Sequence, residues 1–465
     1  MRTLLRRSML LLAAMACLGL SPAVLEVRAV HLPGSLARED LVTHLDYVHR
    51  LGFNALWVQA HQVTNDPLAR TPSLNEAGRV LASWSRRENV RLIVSLDPMI
   101  AGSDRFALGD KALVTAIRRF ARTLRRDAQV HDLILSFENA APDLREIRDI
   151  VTYGRDAAPA HADLARRVRV KLPRSMRLWL LPARPLDTAA LESLAPLPVS
   201  IGLVWRGNDA TPAPPSATDI SHLRDAVGPR AVLIHDRFPA NQAGNRMPLA
   251  HNLGPLQDRD VHLAGRINGY VSVAMDDWAA SRLTLITVAD WLRNPPAYEA
   301  KTSWERAMRT LAGEDAQALE ALRTQALEWG GPPGGRNHHT AATDNPSRTS
   351  NVLRDPALVS RWHWTLTRYP QRMKHLQGLA DVAFRDELLE VMARRLVIAR
   401  AIPTAREILA RQAAGRSDLA GLIGELNRLR ARAGATSSRI ALDRFLFASG
   451  ILPLLDSADD APARD

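Results

Sequence analysis

The sequence contains a single cysteine, Cys17, in 465 residues. A mature chain that begins after it can form no disulfide and carries no cysteine nucleophile. Lysine is nearly as scarce: Lys111, Lys171, Lys301 and Lys374 are the only four among 61 basic residues. The formal net charge of +12 is therefore an arginine bias spread along the chain. Its longest cluster, Arg118, Arg119, Arg122, Arg125 and Arg126, has helical spacing and reads as a solvated face. Aromatic residues are 5% of the chain and do not interleave with these charges as base-stacking platforms require, so no nucleic-acid partner is expected. Neither a Gly-x-Ser-x-Gly elbow nor a phosphate-binding Gly-x-x-x-x-Gly-Lys run is present. Nucleophilic serine hydrolysis and nucleotide phosphoryl transfer therefore lack support. His235, His251 and His262 lack any metal-binding spacing, and His338-His339 falls in a loop-like stretch, so no metal is expected.

What is present begins with a targeting pattern. Arg2, Arg6 and Arg7 precede an apolar run over 9–20 that is too short to span a bilayer comfortably. Ala14-Met15-Ala16 is a small-x-small cleavage pattern, and Pro22-Ala23 offers a second site. Export to the periplasm or beyond is expected. Cys17 directly after Ala16 also permits a lipid anchor, the one route to a membrane contact.

Hydrophobic content of 46% and charged content of 24% are those of a folded protein, and the length suits one large domain plus a second unit. Eight short runs rich in Val, Ile and Leu recur at 25–30, 55–58, 92–96, 133–137, 178–181, 201–205, 232–234 and 270–274. Their hydrophobicity is continuous rather than alternating, as in parallel strands covered on both faces. Amphipathic stretches such as 36–51, 75–88, 111–126 and 144–153 lie between them. This predicts an α/β fold, a (β/α)₈ barrel, over 24–291. A doubly wound sheet is the rival, but no Gly-x-Gly-x-x-Gly turn follows the first run. Residues 1–23 read as signal, 292–330 as a helical extension and 331–352 as a Gly/Pro/Asn-rich linker. A helical C-terminal domain over 353–456, with helices near 385–401 and 419–433, and a disordered tail over 457–465 complete the chain.

Barrel proteins carry their chemistry at the C-terminal ends of the strands. In order, those ends offer His31, then Gln59 and His61, then Asp97, then Glu138-Asn139. Pro182 and Arg184, Trp205 and Arg206, His235-Asp236-Arg237 and Asp276-Asp277-Trp278 follow.

From about 24 to 330 the sequence resembles the catalytic module of glycoside hydrolase family 84, the β-N-acetylglucosaminidases. Leu253-Gly254-Pro255-Leu256 is similar to that family's Leu-Gly-Pro motif, and Thr287-Val288-Ala289-Asp290-Trp291 to its Thr-Ala-Ala-Asp-Tyr segment. Asn294-Pro295 leading to Tyr298 and Ser303-Trp304-Glu305-Arg306-Ala307 is similar to its entry into the helical domain. Asn65-Asp66-Pro67-Leu68-Ala69-Arg70 resembles its Asp-Asp-Pro-Tyr-His-Arg. The resemblance implies a barrel, an amino-sugar glycan as ligand and no cofactor. It also implies substrate-assisted hydrolysis, in which the sugar's acetamido oxygen attacks the anomeric carbon. In that scheme the first of two adjacent Asp after strand four orients the acetamide, and the second is the general acid and base.

Here Glu138-Asn139 stands at that pair. Glu138 keeps a carboxylate for the acetamide, whereas the Asn139 amide neither gives nor takes a proton near neutral pH. Arg237-Phe238-Pro239-Ala240-Asn241-Gln242 aligns with the family's Asn-Tyr-Pro-Val-Thr-Asp, so Arg237 and Asn241 occupy substrate-binding positions. His61 lies near the position of a binding Lys, and Val273 near that of a binding Asn. The expected catalytic residues are Glu138, Asn139 and Asp236, the last as a second carboxylate across the pocket. The alternative for Glu138 is a structural ion pair with a neighbouring Arg. The expected binding residues are His61, Asp97 (otherwise a turn or cap residue before Pro98), Trp205 (as a stacking platform, a core position being equally open), Arg237, Asn241, Asp276 and Asp277 (the last two otherwise N-cap charges). Two functional classes follow, a glycoside hydrolase and a glycan-binding protein on a hydrolase barrel that no longer turns over. A third, a protein that binds partners through its C-terminal helices, predicts neither.

Overall fold

The eight apolar runs form eight parallel strands that close on themselves in sequence order. They are β1 (Val27–His31), β2 (Ala55–Gln59), β3 (Arg91–Leu96), β4 (Asp132–Ser136), β5 (Arg177–Leu181), β6 (Ile201–Trp205), β7 (Val232–Pro239) and β8 (Gly269–Val273). The computed structural model describes residues 25–34, 36, 40–102, 106–138, 140, 143–183, 188–206, 216–239, 252–330, 367–433, 442, 443 and 446. The signal segment, the linker and the C-terminal tail expected from the sequence lie outside these residues, as do Asn139, Arg184 and Asn241.

Side chains of a strand alternate between its two faces, and here one set fills the cylinder while the other meets the helices. Val27 and Ala29 of β1, Ala55 and Trp57 of β2, Ile93, Ile134, Trp179, Leu181, Val204, Leu233 and Val271 pack together inside. The opposite set, including Leu56, Val58, Leu92, Val94, Leu133, Leu135, Leu203 and Trp205, packs with the helices in the larger core. Both faces of each strand are therefore dry, which is why the runs read as continuous. β7 continues through the polar His235-Asp236-Arg237, past the end of its apolar run, because its pairing with β8 extends to Pro239 through a register shift.

Two glycines set the width at the closed end. A Cβ at Gly202 would lie 2.2 Å from Cε3 of Trp179, and one at Gly269 would lie 2.5 Å from Cβ of Val27. Only hydrogen fits between these walls and the buried indole. Below them Asp132, fully buried, accepts from Nη2 of Arg91 at 2.7 Å and from Nε1 of Trp179 at 2.8 Å. Glu26 joins Arg91 at 3.2 Å and Arg177 at 2.6 Å. This charged network closes the N-terminal end of the barrel and leaves the opposite end open.

The chain divides into two compact units. The first comprises residues 1–239, 256–278 and 285–300 and contains the whole barrel. The second comprises 240–255, 279–284 and 301–465, and its described elements are helical apart from short connecting turns. It includes the helices Ala300–Ala312, Ala316–Gly330, 367–376, Val382–Ala413 and Ala420–Arg432. The helix expected near 385–401 runs 32 residues and carries Pro403 inside it. Ile398, Ala401, Ile402, Ala405 and Ile408 continue one buried stripe past the proline and pack with Leu426. That packing outweighs the ~3 kcal/mol penalty of an internal proline. Among the described residues no helix is long and apolar enough to cross a membrane.

Candidate active site

The alternation that fills the barrel also selects what its open end displays. Two residues beyond Ala29, Trp57, Ser95, Ser136, Val204 and Leu233 stand His31, Gln59, Asp97, Glu138, Arg206 and His235. All six therefore carry the inward parity of their strands. Of these, His31, Gln59, Asp97 and Glu138 line a cavity of about 420 Å³ over the exits of β1 to β4. Trp57, Ser95 and Ser136 form its floor, and His61, Asn65, Asp66, Pro67 and Ile100 line its sides.

The loops that shape this cavity are tied to each other. Gln62 donates from Nε2 to the Leu32 carbonyl at 3.0 Å, and its Oε1 accepts from the Gln59 backbone N–H at 2.6 Å. The exits of β1 and β2 are thereby fastened together. Asp97 accepts through Oδ1 from the backbone N–H groups of Met99 at 2.9 Å and Ile100 at 3.1 Å. Its Oδ2 is buried and has no hydrogen-bond partner among the described residues. Burial, and to a smaller extent the nearby Glu138 charge, raise the Asp97 carboxyl above its ordinary range, against the two backbone bonds.

Glu138 is ion-paired. Nη1 of Arg206 lies 2.5 Å from its Oε1, the guanidinium buried and the carboxylate mostly so. This is the arginine pairing that the sequence left open as an alternative, and it coincides with a position in the cavity wall. Beneath it, Nδ1 of His31 is 3.0 Å from Nε2 of His235, and Trp57 stacks beside both rings. Burial, followed by the Arg206 charge, pulls His31 down to about 3, so its imidazole is neutral. His61 stands exposed at the rim, and partial desolvation lowers its pKa as well.

The structure thus brings Glu138, Asp97 and His61 to one cavity. Asp236 is elsewhere, against the expectation of a second carboxylate across the pocket. It has the opposite strand parity to His235 and is buried among three donors. Arg259 reaches both of its oxygens, at 2.7 and 3.0 Å, the Phe238 N–H donates at 3.0 Å and the Tyr270 hydroxyl also donates. Trp205 takes the core position that the sequence left open beside stacking: Val204 faces the interior, so the adjacent indole turns outward into the barrel–helix core and offers no stacking face. Arg237 is half-buried, Asp276 exposed and Asp277 half-buried, and none of the three is among the residues lining the cavity.

The sequence offered His31 and Arg206 at strand exits without assigning them a role in the site, and did not single out Ser136. The signal that finds them is the i, i+2 continuation of the inward set past each strand end. Among the described residues no group of three or more His, Cys, Asp or Glu side chains could hold a metal ion.

A closed parallel barrel with carboxylates in a cavity at its C-terminal mouth is the frame of a glycoside hydrolase-like protein. The family model of the β-N-acetylglucosaminidases matches residues 73–325, more than half of the chain, and the chain belongs to this family. Among solved structures it is similar to a mutant of the O-GlcNAc hydrolase of Thermobaculum terrenum. That match has a TM-score of 0.63 and 18% identity and covers 94% of this chain and 97% of the other. It is also similar to the protein CpGH84B, with a TM-score of 0.59 and 17% identity, covering 92% of this chain and 77% of the other. At these identities the two likenesses concern the fold.

Proposed function

We propose that the protein is an exported glycoside hydrolase acting on β-linked N-acetylglucosaminides in an amino-sugar glycan, with the sugar's own acetamido oxygen as nucleophile. The observation that carries this reading is Glu138, on the inward face at the mouth of β4, in a cavity of small-ligand size. As the charged partner of Arg206, its carboxylate is an acceptor and suits the N–H of an acetamido group. That contact would turn the amide oxygen toward the anomeric carbon and strengthen as positive charge develops on nitrogen. Such an interaction accelerates the reaction because it is tighter in the transition state than in the ground state.

The same ion pair, together with Asn139, favours a second reading, a protein that binds the glycan without turning it over. Hydrolysis of chromogenic N-acetylglucosaminides by the purified chain separates the two. Turnover that disappears in Glu138→Ala supports the enzyme. Sugar binding with no turnover supports the second reading.

Export rests on the basic, apolar and small-residue order of residues 2–16. Mass spectrometry of the mature N-terminus tests it: a chain starting after Ala16 or Ala23 agrees, and one starting at Met1 contradicts it. A lipid-modified Cys17 would identify the anchored form.

A further inference from the structure

We propose that Asp97 is the proton-carrying acid and base of this cavity, supplied from the exit of β3 in place of the second carboxylate that Asn139 has replaced. The inference rests on the hydrolase reading above and assigns the one function that reading leaves unfilled. Four observations support it. Asp97 and Glu138 line the same cavity at the exits of the neighbouring strands β3 and β4. Glu138 has its charge matched by Arg206, whereas Oδ2 of Asp97 has no hydrogen-bond partner among the described residues. Oδ1 of Asp97 is fixed by two backbone N–H groups, which orients the carboxyl without adding a neutralising cation. Finally, His31, 4% exposed, lines the same cavity and its Nε2 has no hydrogen-bond partner among the described residues, an independent mark that the floor suits a polar ligand.

The cavity sets charged and titratable groups around Asp97 from three strand exits. Glu138 faces it from β4, Asp66 and His61 from the exit of β2, and the neutral His31 from β1. Burial, and to a smaller extent the Glu138 charge, raise its pKa against the Ile100 and Met99 N–H groups. Upward is the direction in which a general acid's carboxyl is tuned. Hydrogen bonds that catalyse commonly tighten only when substrate is bound, so the apo position of Oδ2 is a starting point.

Protonated Asp97 gives its proton to the glycosidic oxygen while the bond from that oxygen to C1 breaks. The acetamido oxygen bonds to C1, giving a cyclic oxazolinium whose N–H stays on Glu138, and the alcohol leaves neutral. The Asp97 carboxylate then takes a proton from the water whose oxygen adds to C1. The bond from C1 to the acetamido oxygen breaks, the acid is restored, and one water has been consumed.

The test compares two aryl N-acetyl-β-glucosaminides on the full chain, one with a dinitrophenyl leaving group that needs no proton and one with an unactivated phenyl. Asp97→Asn keeps the acceptor for the Met99 and Ile100 N–H groups, and thermal unfolding checks that it folds. The expected result is a loss of about 10²–10⁴-fold in kcat/KM on the phenyl glycoside and little loss in kcat/KM on the dinitrophenyl glycoside, whose kcat falls for want of the base and is raised again by azide with a glycosyl azide as product. In the unmodified protein, a basic pH limb should appear for phenyl and be absent for dinitrophenyl, a readout that needs no variant. Turnover of both substrates by the wild type, with Asp97→Asn losing both equally or neither, overturns Asp97 alone. If Asp97→Asn does not fold, the same pH limb on both substrates, or on neither, overturns it. If the wild type hydrolyses neither substrate, the hydrolase reading falls and the assignment of Asp97 falls with it.

Discussion

Arg206 at the end of β6 lies 2.5 Å from Glu138 beyond the end of β4, so the acid at the mouth of the barrel is an ion pair reaching across β5. Arg206 is buried, and substitution of Glu138 takes away the carboxylate that lies against its guanidinium. Glu138→Gln should therefore lower stability by about 3 kcal/mol as well as abolish turnover. The double substitution Glu138→Gln with Arg206→Gln should be more stable than the sum of the single losses predicts. Urea unfolding of the four proteins measures the coupling, and additive losses would show that the pair does not interact.

Asp236 is a structural anchor in this account. Its bidentate bond from Arg259 and the Tyr270 and Phe238 donors hold the end of β7 against β8. Asp236→Asn should cost about 3–5 kcal/mol in unfolding free energy, while the affinity of the folded protein for an N-acetylglucosaminide changes less than threefold. A selective loss of affinity at unchanged stability would return Asp236 to the site.

The closed end gives a prediction from packing alone. Gly202→Ala puts a methyl group 2.2 Å from the Trp179 ring, which is fully buried and hydrogen-bonded to Asp132. Overpacking of this kind costs about 1–3 kcal/mol or more. The thermal midpoint should fall, whereas Gly265→Ala, with open space at its Cβ, should leave it within a degree or two.

Two buried histidines fix the acid limb of stability. Burial pulls His31 and His161 each down to about 3, the latter stacked 3.7 Å from Phe137. An unfolded histidine takes up a proton near 6.5, so between that pH and about 3 the unfolded chain holds the extra protons. Stability is thus fully present above about pH 6.5 and declines as pH falls toward 3. Each histidine contributes a slope of about 1.4 kcal/mol per pH unit within that window. His161→Phe should remove roughly one proton from the dependence measured by urea unfolding between pH 4 and 6. An unchanged slope would mean that His161 is protonated in the folded protein.

The barrel was legible because eight continuous apolar runs signal strands buried on both faces, and each run lies within two residues of an observed strand end except on β7. There the polar His235-Asp236-Arg237 hid strand residues that pair with β8. The site was legible only by position along the chain. Glu138, Asp97 and His61 lie at strand exits and do reach one cavity. Trp205 and Asp236 also lie at strand exits but face outward, and a one-residue offset in parity separates the two outcomes. Arg206 illustrates the other limit. Its strand end was visible in the sequence, but that it would meet Glu138 depends on barrel closure, which places β4 and β6 around one axis.

The central claim, that Glu138 receives the acetamido group of the ligand, is tested most directly by calorimetric titration. A non-cleavable β-thio-linked N-acetylglucosamine disaccharide and its 2-deoxy counterpart, which lacks the acetamido group, are titrated into the wild type and into Glu138→Ala. A hydrogen bond to a charged group contributes about 1.5–3 kcal/mol, so the wild type should prefer the acetylated sugar by about ten- to hundredfold. Glu138→Ala should lose that preference while remaining folded. Equal affinity of the wild type for both sugars, or an undiminished preference in Glu138→Ala, would contradict the account.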